Sequence, residues 1–263
     1  MSKDLSSNTA TTPDGKPSKP KRIGRASFLV TGTIGLFFVG QLAGTYLMVI
    51  ILMLFGKNSG QIEQLLSSNV ALQFLTVLCI EIVTIEILWW LHTLKKQPFL
   101  EAVGLGNKPK IKFLAYSALT YIAYFITLIV TVAVMSNLVP ALDINQSQQL
   151  GFDSAKGFNL VFVFMTLVIL PPIAEEIIFR GFLFSRLRTQ TGTYISAIIT
   201  SIIFALAHTE FLSGNSLNWI AALDTFVFSF FLIFLYVKTK SLWPSIFLHG
   251  IKNCIAFIFL FLL

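Results

Sequence analysis

Three polar groupings stand inside otherwise apolar stretches of the chain: Glu175-Glu176 with Arg180, Phe204 with His208, and His249 with Asn253. Ionisable side chains are costly in a bilayer and mark a functional pathway or a catalytic centre. Two carboxylates, a guanidinium, two imidazoles and an amide, carried on three separate helical runs, suit hydrolysis. A carboxylate and an imidazole can activate water, and N–H donors can hold the charge that develops on a carbonyl oxygen. Taken one at a time the groupings are weak signals. An acidic pair followed by arginine is usually a solvated salt-bridge face, and a His-x-x-x-Asn pair can simply bond neighbouring helices, worth about 1 kcal/mol or less. Their conjunction carries the reading.

Spacing says which side chains can converge. Residues four apart share a helix face, so Phe204 and His208 point one way, as do His249 and Asn253. Glu175 and Glu176 are adjacent and diverge by about 100°. Glu176 stands four before Arg180, the favoured acid-to-base order for an ion pair along a helix. The expectation is therefore a structural Glu176–Arg180 pair, with Glu175 free to face the centre. Pro171 and Pro172 lack amide hydrogens, so carbonyls one turn earlier lose their partners. Unpaired backbone at membrane depth is tolerated beside a polar or watery cavity, here just above Glu175.

The elements that must carry these groups are membrane spans. Of the 263 residues, 55% are hydrophobic and only 12% charged, and mean hydropathy is +0.79. Globular domains carry about 25% charged residues, so the chain falls in the polytopic membrane class. Residues 1–26, rich in Ser, Thr, Pro and Lys, read as a disordered basic tail. Residues 27–263 read as one transmembrane domain, with the motif-bearing core at 158–263. The run Ser27–Phe55 exceeds the h-region of a cleaved signal peptide and is expected to be a first span. Further spans are expected at Val70–Leu94, Phe113–Val139, Phe158–Arg188, Tyr194–Phe211, Trp219–Val237 and Trp243–Leu262. The fold class is thus an all-α polytopic helical bundle of about seven spans, or eight if the fourth, kinked at its prolines, counts as two. Cys79 and Cys254 lie in different apolar runs and read as packing residues.

Charge sets the expected orientation. Lys and Arg cluster in the N-terminal tail, at 95–112, at Arg180, Arg186 and Arg188, and at Lys238 and Lys240; only Lys57 and Lys156 fall on the opposite side. The positive-inside rule then places the N-terminus in the cytoplasm. The net charge of +7 is a topology signal of this kind, and no nucleic-acid partner is expected. Glu175 lies 13 residues before Arg188, and His208 lies 14 after Tyr194; at 1.5 Å per residue both are about 20 Å deep on an antiparallel hairpin turning near Gly192. His249, six residues past Trp243, is about 9 Å deep. The three meet if the hairpin projects about 10 Å beyond the membrane, which predicts a shallow, cytoplasm-facing site. Among the other ionisable groups, depth matches Glu86 to Lys252, with Arg180 as a competitor and snorkelling of Lys252 as the alternative; Asp224 and His92 read as interface contacts; Glu81 finds no place.

At this point the residues resemble a known family. Glu175-Glu176-Ile177-Ile178-Phe179-Arg180, Phe204-Ala205-Leu206-Ala207-His208 and His249-Gly250-Ile251-Lys252-Asn253 are similar, complete and in order, to the three motifs of the CPBP family. That family holds the CaaX prenyl endopeptidases and the bacterial Abi-type intramembrane proteases. The resemblance covers about Phe158 to Asn253. It implies an intramembrane endopeptidase in which Glu175 and His208 activate water while His249 and Asn253 stabilise the oxyanion. The family has been described both as glutamic and as metalloproteases. Zinc could take His208, His249, Glu175 and a water, but there is no HExxH and an amide is a poor zinc ligand, so the metal-free reading is favoured and no cofactor is expected. The partners implied are a peptide or protein substrate at the membrane and the lipid bilayer. The location implied is a bacterial cell membrane, with links in the family to bacteriocin immunity. The rival reading is a non-catalytic membrane immunity or regulatory protein that binds a peptide or sensor kinase.

Overall fold

The computed structural model describes residues 19–93, 97–139, 152, 155–209 and 218–263. All regular structure in them is helical: α1 (Lys19–Leu54), α2 (Ser59–Ser68), α3 (Val70–Thr93), α4 (Phe99–Ala102), α5 (Ile111–Leu138), α6 (Asn159–Thr191), α7 (Thr193–Ala207), α8 (Trp219–Thr239) and α9 (Trp243–Phe261). The polytopic helical bundle read from the apolar runs is therefore the observed architecture.

The boundaries differ where local chemistry differs. Helix α1 begins at Lys19, eight residues before the expected start of the first span. Pro20 is no obstacle there, because a proline in the first turn forfeits an amide that has no intrahelical partner anyway. The rest of the expected tail, residues 1–18, lies outside the described residues, as do Leu94, Lys95, Lys96 and Phe211. Among the described residues, six helices are long and apolar enough to cross a membrane: α1, α3, α5, α6, α8 and α9. The expected fifth span is the exception. Its helix, α7, ends at Ala207 after 15 residues, about 22 Å at 1.5 Å per residue. Two short helices, α2 and α4, were not expected. Helix α2 opens with a reciprocal capping box, in which Asn58 Oδ1 accepts from the Gln61 amide and Gln61 Oε1 accepts from the Asn58 amide.

Helix α6 does not break into two half-helices at its prolines; it runs on by widening. Pro171 and Pro172 cannot donate to the carbonyls of Leu167 and Val168. The turn before them, Met165–Ile169, winds as a π-helix, and the Leu170 amide reaches back to the Met165 carbonyl. A second π-helical stretch, Glu176–Phe184, carries the acidic motif. Such wide turns are rare and collect at functional sites. Gly192, at φ 84°, makes the turn from α6 into α7, a conformation that costs glycine nothing.

The bundle holds together by close backbone approach and buried hydroxyls. Helices α1 and α3 pack through Gly40 and Gly44. A methyl at Gly44 would lie 2.4 Å from the Ile80 Cα, and one at Gly40 would lie 1.9 Å from the Thr84 hydroxyl. This small-x-x-x-small spacing lets membrane helices approach closely. Helix α9 packs against α5, α6 and α8. Ser117 on α5 donates to the Pro244 carbonyl at 2.8 Å, and Ser245 on α9 donates to the Leu232 carbonyl at 2.9 Å. Between them lies an apolar core of Tyr124, Ile178, Phe179, Phe204, Phe228, Leu232 and Leu248, drawn from α5 to α9. Cys79 and Cys254 are unpaired and pack in separate apolar clusters.

Candidate functional site

The π-helical stretch of α6 is buried almost throughout, which forces its charges to find partners. Arg180 and Glu176 are wholly buried and paired, with Nη1 2.9 Å from Oε1. Arg180 Nη2 also donates to Ser229 Oγ on α8 at 2.8 Å, and Ser229 accepts in turn from Ser201 Oγ on α7 at 2.9 Å. The guanidinium lies over the Phe204 ring, 4.0 Å from its centroid. Arg180, counted above among the charges flanking the membrane, is therefore no topology signal; it ties α6, α7 and α8 together.

Glu176 has a second partner that the spacing did not reveal. Its Oε1 accepts from His249 Nδ1 at 3.0 Å. His208 Nδ1 donates to the Phe204 carbonyl at 2.8 Å. A carbonyl and a carboxylate only accept, so both rings carry hydrogen on Nδ1, and in the neutral ring Nε2 is then the basic atom. Both Nε2 atoms face Glu175 Oε2, at 3.4 Å for His208 and 3.9 Å for His249. These exceed the 2.7–2.9 Å or so of a direct charge-assisted hydrogen bond. Glu175 Oε2 is buried and makes no hydrogen bond among the described residues. The separations leave room for a small polar group shared by one carboxylate and two imidazoles.

Asn253 faces the same cavity, but its Nδ2 donates to the Leu167 carbonyl at 2.8 Å. Leu167 stands four residues before Pro171, so this is the carbonyl that the proline deprives of its helical donor. The amide keeps one further N–H. The cavity measures about 520 Å³ and is lined by Glu175, Phe204, His208, His249 and Asn253 together with Asp224 and Lys252. The Glu86–Lys252 pair expected from depth does not form. Lys252 Nζ lies 2.8 Å from Asp224 Oδ2, its ammonium sits over the Phe228 ring at 4.7 Å, and Asp224 Oδ1 accepts from the Tyr124 hydroxyl. Depth along a helix cannot choose between two acids at different azimuths. Of the two residues read as interface contacts, Asp224 lines the cavity, and His92 is buried, bonded to Arg186 and the Gln97 carbonyl. Glu81, on α3, lies within electrostatic range of Glu175; no spacing rule pointed to it.

The atoms that could hold a metal are Glu175 Oε2, His208 Nε2 and His249 Nε2. Their chemistry suits zinc, and each imidazole has an acceptor on its other nitrogen, as metal-binding histidines do. The spacing does not close. Two ligands of a tetrahedral zinc stand about 3.3–3.5 Å apart, which the 3.4 Å contact meets and the 3.9 Å contact exceeds. No group of three His, Cys, Asp or Glu side chains among the described residues is placed to hold a metal ion.

Residues 157–255 match the family described as "Type II CAAX prenyl endopeptidase Rce1-like". This segment is Rce1-like. It contains every motif residue named above, so the family read from the three motifs and the family matched over the segment agree. The curated "Putative membrane peptidase YdiL" of Bacillus subtilis (strain 168) is 36% identical over 85 residues, 32% of this chain and 32% of that protein. The match thus spans about a third of the relative's length. No solved structure matches the chain. Six apolar helices among the described residues and a segment similar to a membrane-protease family point to an integral membrane protein.

Proposed function

We propose that the chain is an intramembrane endopeptidase of the CAAX type that hydrolyses peptide bonds of a peptide or protein substrate at a shallow, cytoplasm-facing site. The observation that carries the reading is the convergence of Glu175 Oε2 with the two Nε2 atoms at 3.4 and 3.9 Å in one cavity. Water held between Glu175 and His208 gives up a proton to this pair as its oxygen attacks the scissile carbonyl carbon. The carbonyl π-electrons move to oxygen, and N–H donors must meet the oxyanion. Asn253 offers its second amide hydrogen. His249 spends its Nδ1 hydrogen on Glu176, so its Nε2 can donate only from the imidazolium. When the intermediate collapses, the C–N bond breaks and the proton held by Glu175 and His208 passes to the leaving amine. This route needs no metal. A bound zinc would take Glu175, His208 and His249 and would supply Lewis-acid activation of the water.

The many basic residues at one end of the spans support a cytoplasmic N-terminus and the shallow placement. The bacterial relative supports a bacterial cell membrane. The test is Glu175→Gln, which conserves volume and removes the base. Turnover of a reporter peptide is expected to fall by at least about a hundredfold with unchanged expression and thermal stability. Cleavage near the parent rate would overturn the assignment of the base.

A further inference from the structure

A second cavity, which shares no lining residue with the first, lies between the first turns of α1 and the last turns of α6. It measures about 570 Å³ and is lined by Lys21, Arg25 and Phe28 from α1 and by Arg186, Thr189 and Gln190 from α6, among others. Three cations face it and, among the described residues, no acid does. Lys21 and Arg25 are four apart, exposed, and in no ion pair among the described residues. Like charges so spaced repel and weaken a helix, and a third cation across the cleft adds to that cost. An anion in the cleft reverses it.

Arg186 is already positioned to receive one. Its Nη2 donates to His92 Nδ1 at 3.0 Å, and His92, almost fully buried, is fixed in turn by the Gln97 carbonyl at 2.9 Å from Nε2. Its guanidinium lies over the Phe182 ring, 4.0 Å from the centroid. The side chain has thus lost its rotamer freedom before any ligand arrives, while most of its five N–H donors are unspent. Such a fork matches phosphate oxygens. Beside the cations, Phe28 is 76% exposed on the flank of a helix that continues as a membrane span, a surface on which an acyl chain can lie.

We propose that this cleft binds the phosphate of an anionic phospholipid headgroup, with Arg186 as the fixed fork and Lys21 and Arg25 closing over it. The purified full-length protein would be titrated with phosphatidylglycerol or acyl-matched phosphatidylcholine in detergent, with bound lipid counted by native mass spectrometry and thermal unfolding followed in parallel. Phosphatidylglycerol is expected to bind more tightly and to raise the unfolding temperature; phosphatidylcholine is not. Lys21→Gln with Arg25→Gln, both exposed positions, is expected to weaken phosphatidylglycerol about twenty-five-fold, from about a fivefold loss per cation. The control pair Lys238→Gln with Lys240→Gln is expected to leave binding unchanged. Inorganic phosphate is included as a competitor; displacement of the lipid at equal concentration would make the ligand a soluble anion and overturn the headgroup assignment. Equal binding of the two lipids, undiminished binding by the Lys21/Arg25 variant, or equal losses in the control pair would overturn the site itself.

Discussion

Replacing Arg180 with methionine asks how much of the bundle hangs on one buried charge. The side chain is wholly buried, donates to Glu176 Oε1 at 2.9 Å and to Ser229 Oγ at 2.8 Å, and stacks on Phe204. Methionine keeps most of the packing and removes the charge. Glu176 is then a buried carboxylate whose remaining partner is His249. Breaking one partner of a buried pair costs about 3–5 kcal/mol. Domains of 150–250 residues shift by about 2–4 °C per kcal/mol, so a fall of about 10 °C is expected in a detergent thermal-unfolding assay. Replacing both charges is far less costly, because no uncompensated ion remains. Arg180→Met with Glu176→Gln should therefore recover most of the lost stability. Glutamine can still accept from His249 Nδ1 through its carbonyl oxygen, but it no longer stabilises an imidazolium. The double variant is expected to be stable and slow. A single variant that unfolds within about 1 °C of the parent, or a double variant no more stable than the single, would refute the reasoning that this pair anchors α6 against α7 and α8.

Other consequences can be checked in the same protein. Asn253→Ala strips the Leu167 carbonyl of its donor and should cost about 1–3 kcal/mol; adding Pro171→Ala supplies a backbone amide one turn away and should restore stability without restoring turnover. Gly44→Val forces its side chain into the Ile80 backbone and should destabilise by about 1–3 kcal/mol or more, read as a lower unfolding temperature with the parent's activity per folded molecule. Dialysis against a strong chelator should leave activity intact; stoichiometric zinc in active protein, with activity lost on chelation and regained on adding zinc, would reassign Glu175, His208 and His249 as ligands.

The parts of this fold that depend on one dimension were legible. Apolar runs set by bilayer thickness place the boundaries of the six long helices within a few residues, apart from the upstream start of α1, because a lipid-facing helix must stay apolar along its whole length; the fifth run instead gives the shorter α7. Distance along a helix is also one-dimensional, so counting 1.5 Å per residue brings Glu175 and His208 to the same height, and Oε2 and Nε2 lie 3.4 Å apart. Azimuth is not one-dimensional. Depth along the chain offers Lys252 both Glu86 and Asp224, and what decides between them is that α9 packs against α8, which carries Asp224, while α3, which carries Glu86, is not among its main neighbours. The Gly40–Gly44 spacing was present in the chain, yet a pair of glycines says nothing of which helix will press against it.

The same limit explains why Glu176 looked purely architectural. Its partner at i+4, Arg180, is visible in the chain; its partner on α9, His249, is not. One oxygen, Oε1, takes both, at 2.9 and 3.0 Å. That makes the carboxylate a hinge between two jobs. The arginine is its charge partner in a buried place, and a carboxylate oxygen accepting from the ring is what fixes hydrogen on His249 Nδ1 and turns Nε2 toward Glu175. Asn253 shows the converse. Read as an oxyanion donor, it also satisfies the carbonyl orphaned by Pro171, so the prolines and the last motif form one device. Pro171 widens α6 ahead of Glu175, and Asn253 satisfies the carbonyl left by that widening with an amide that must lie beside the cavity to reach it. Chemistry and architecture share atoms here, so the motif residues cannot be sorted into one class or the other from spacing alone.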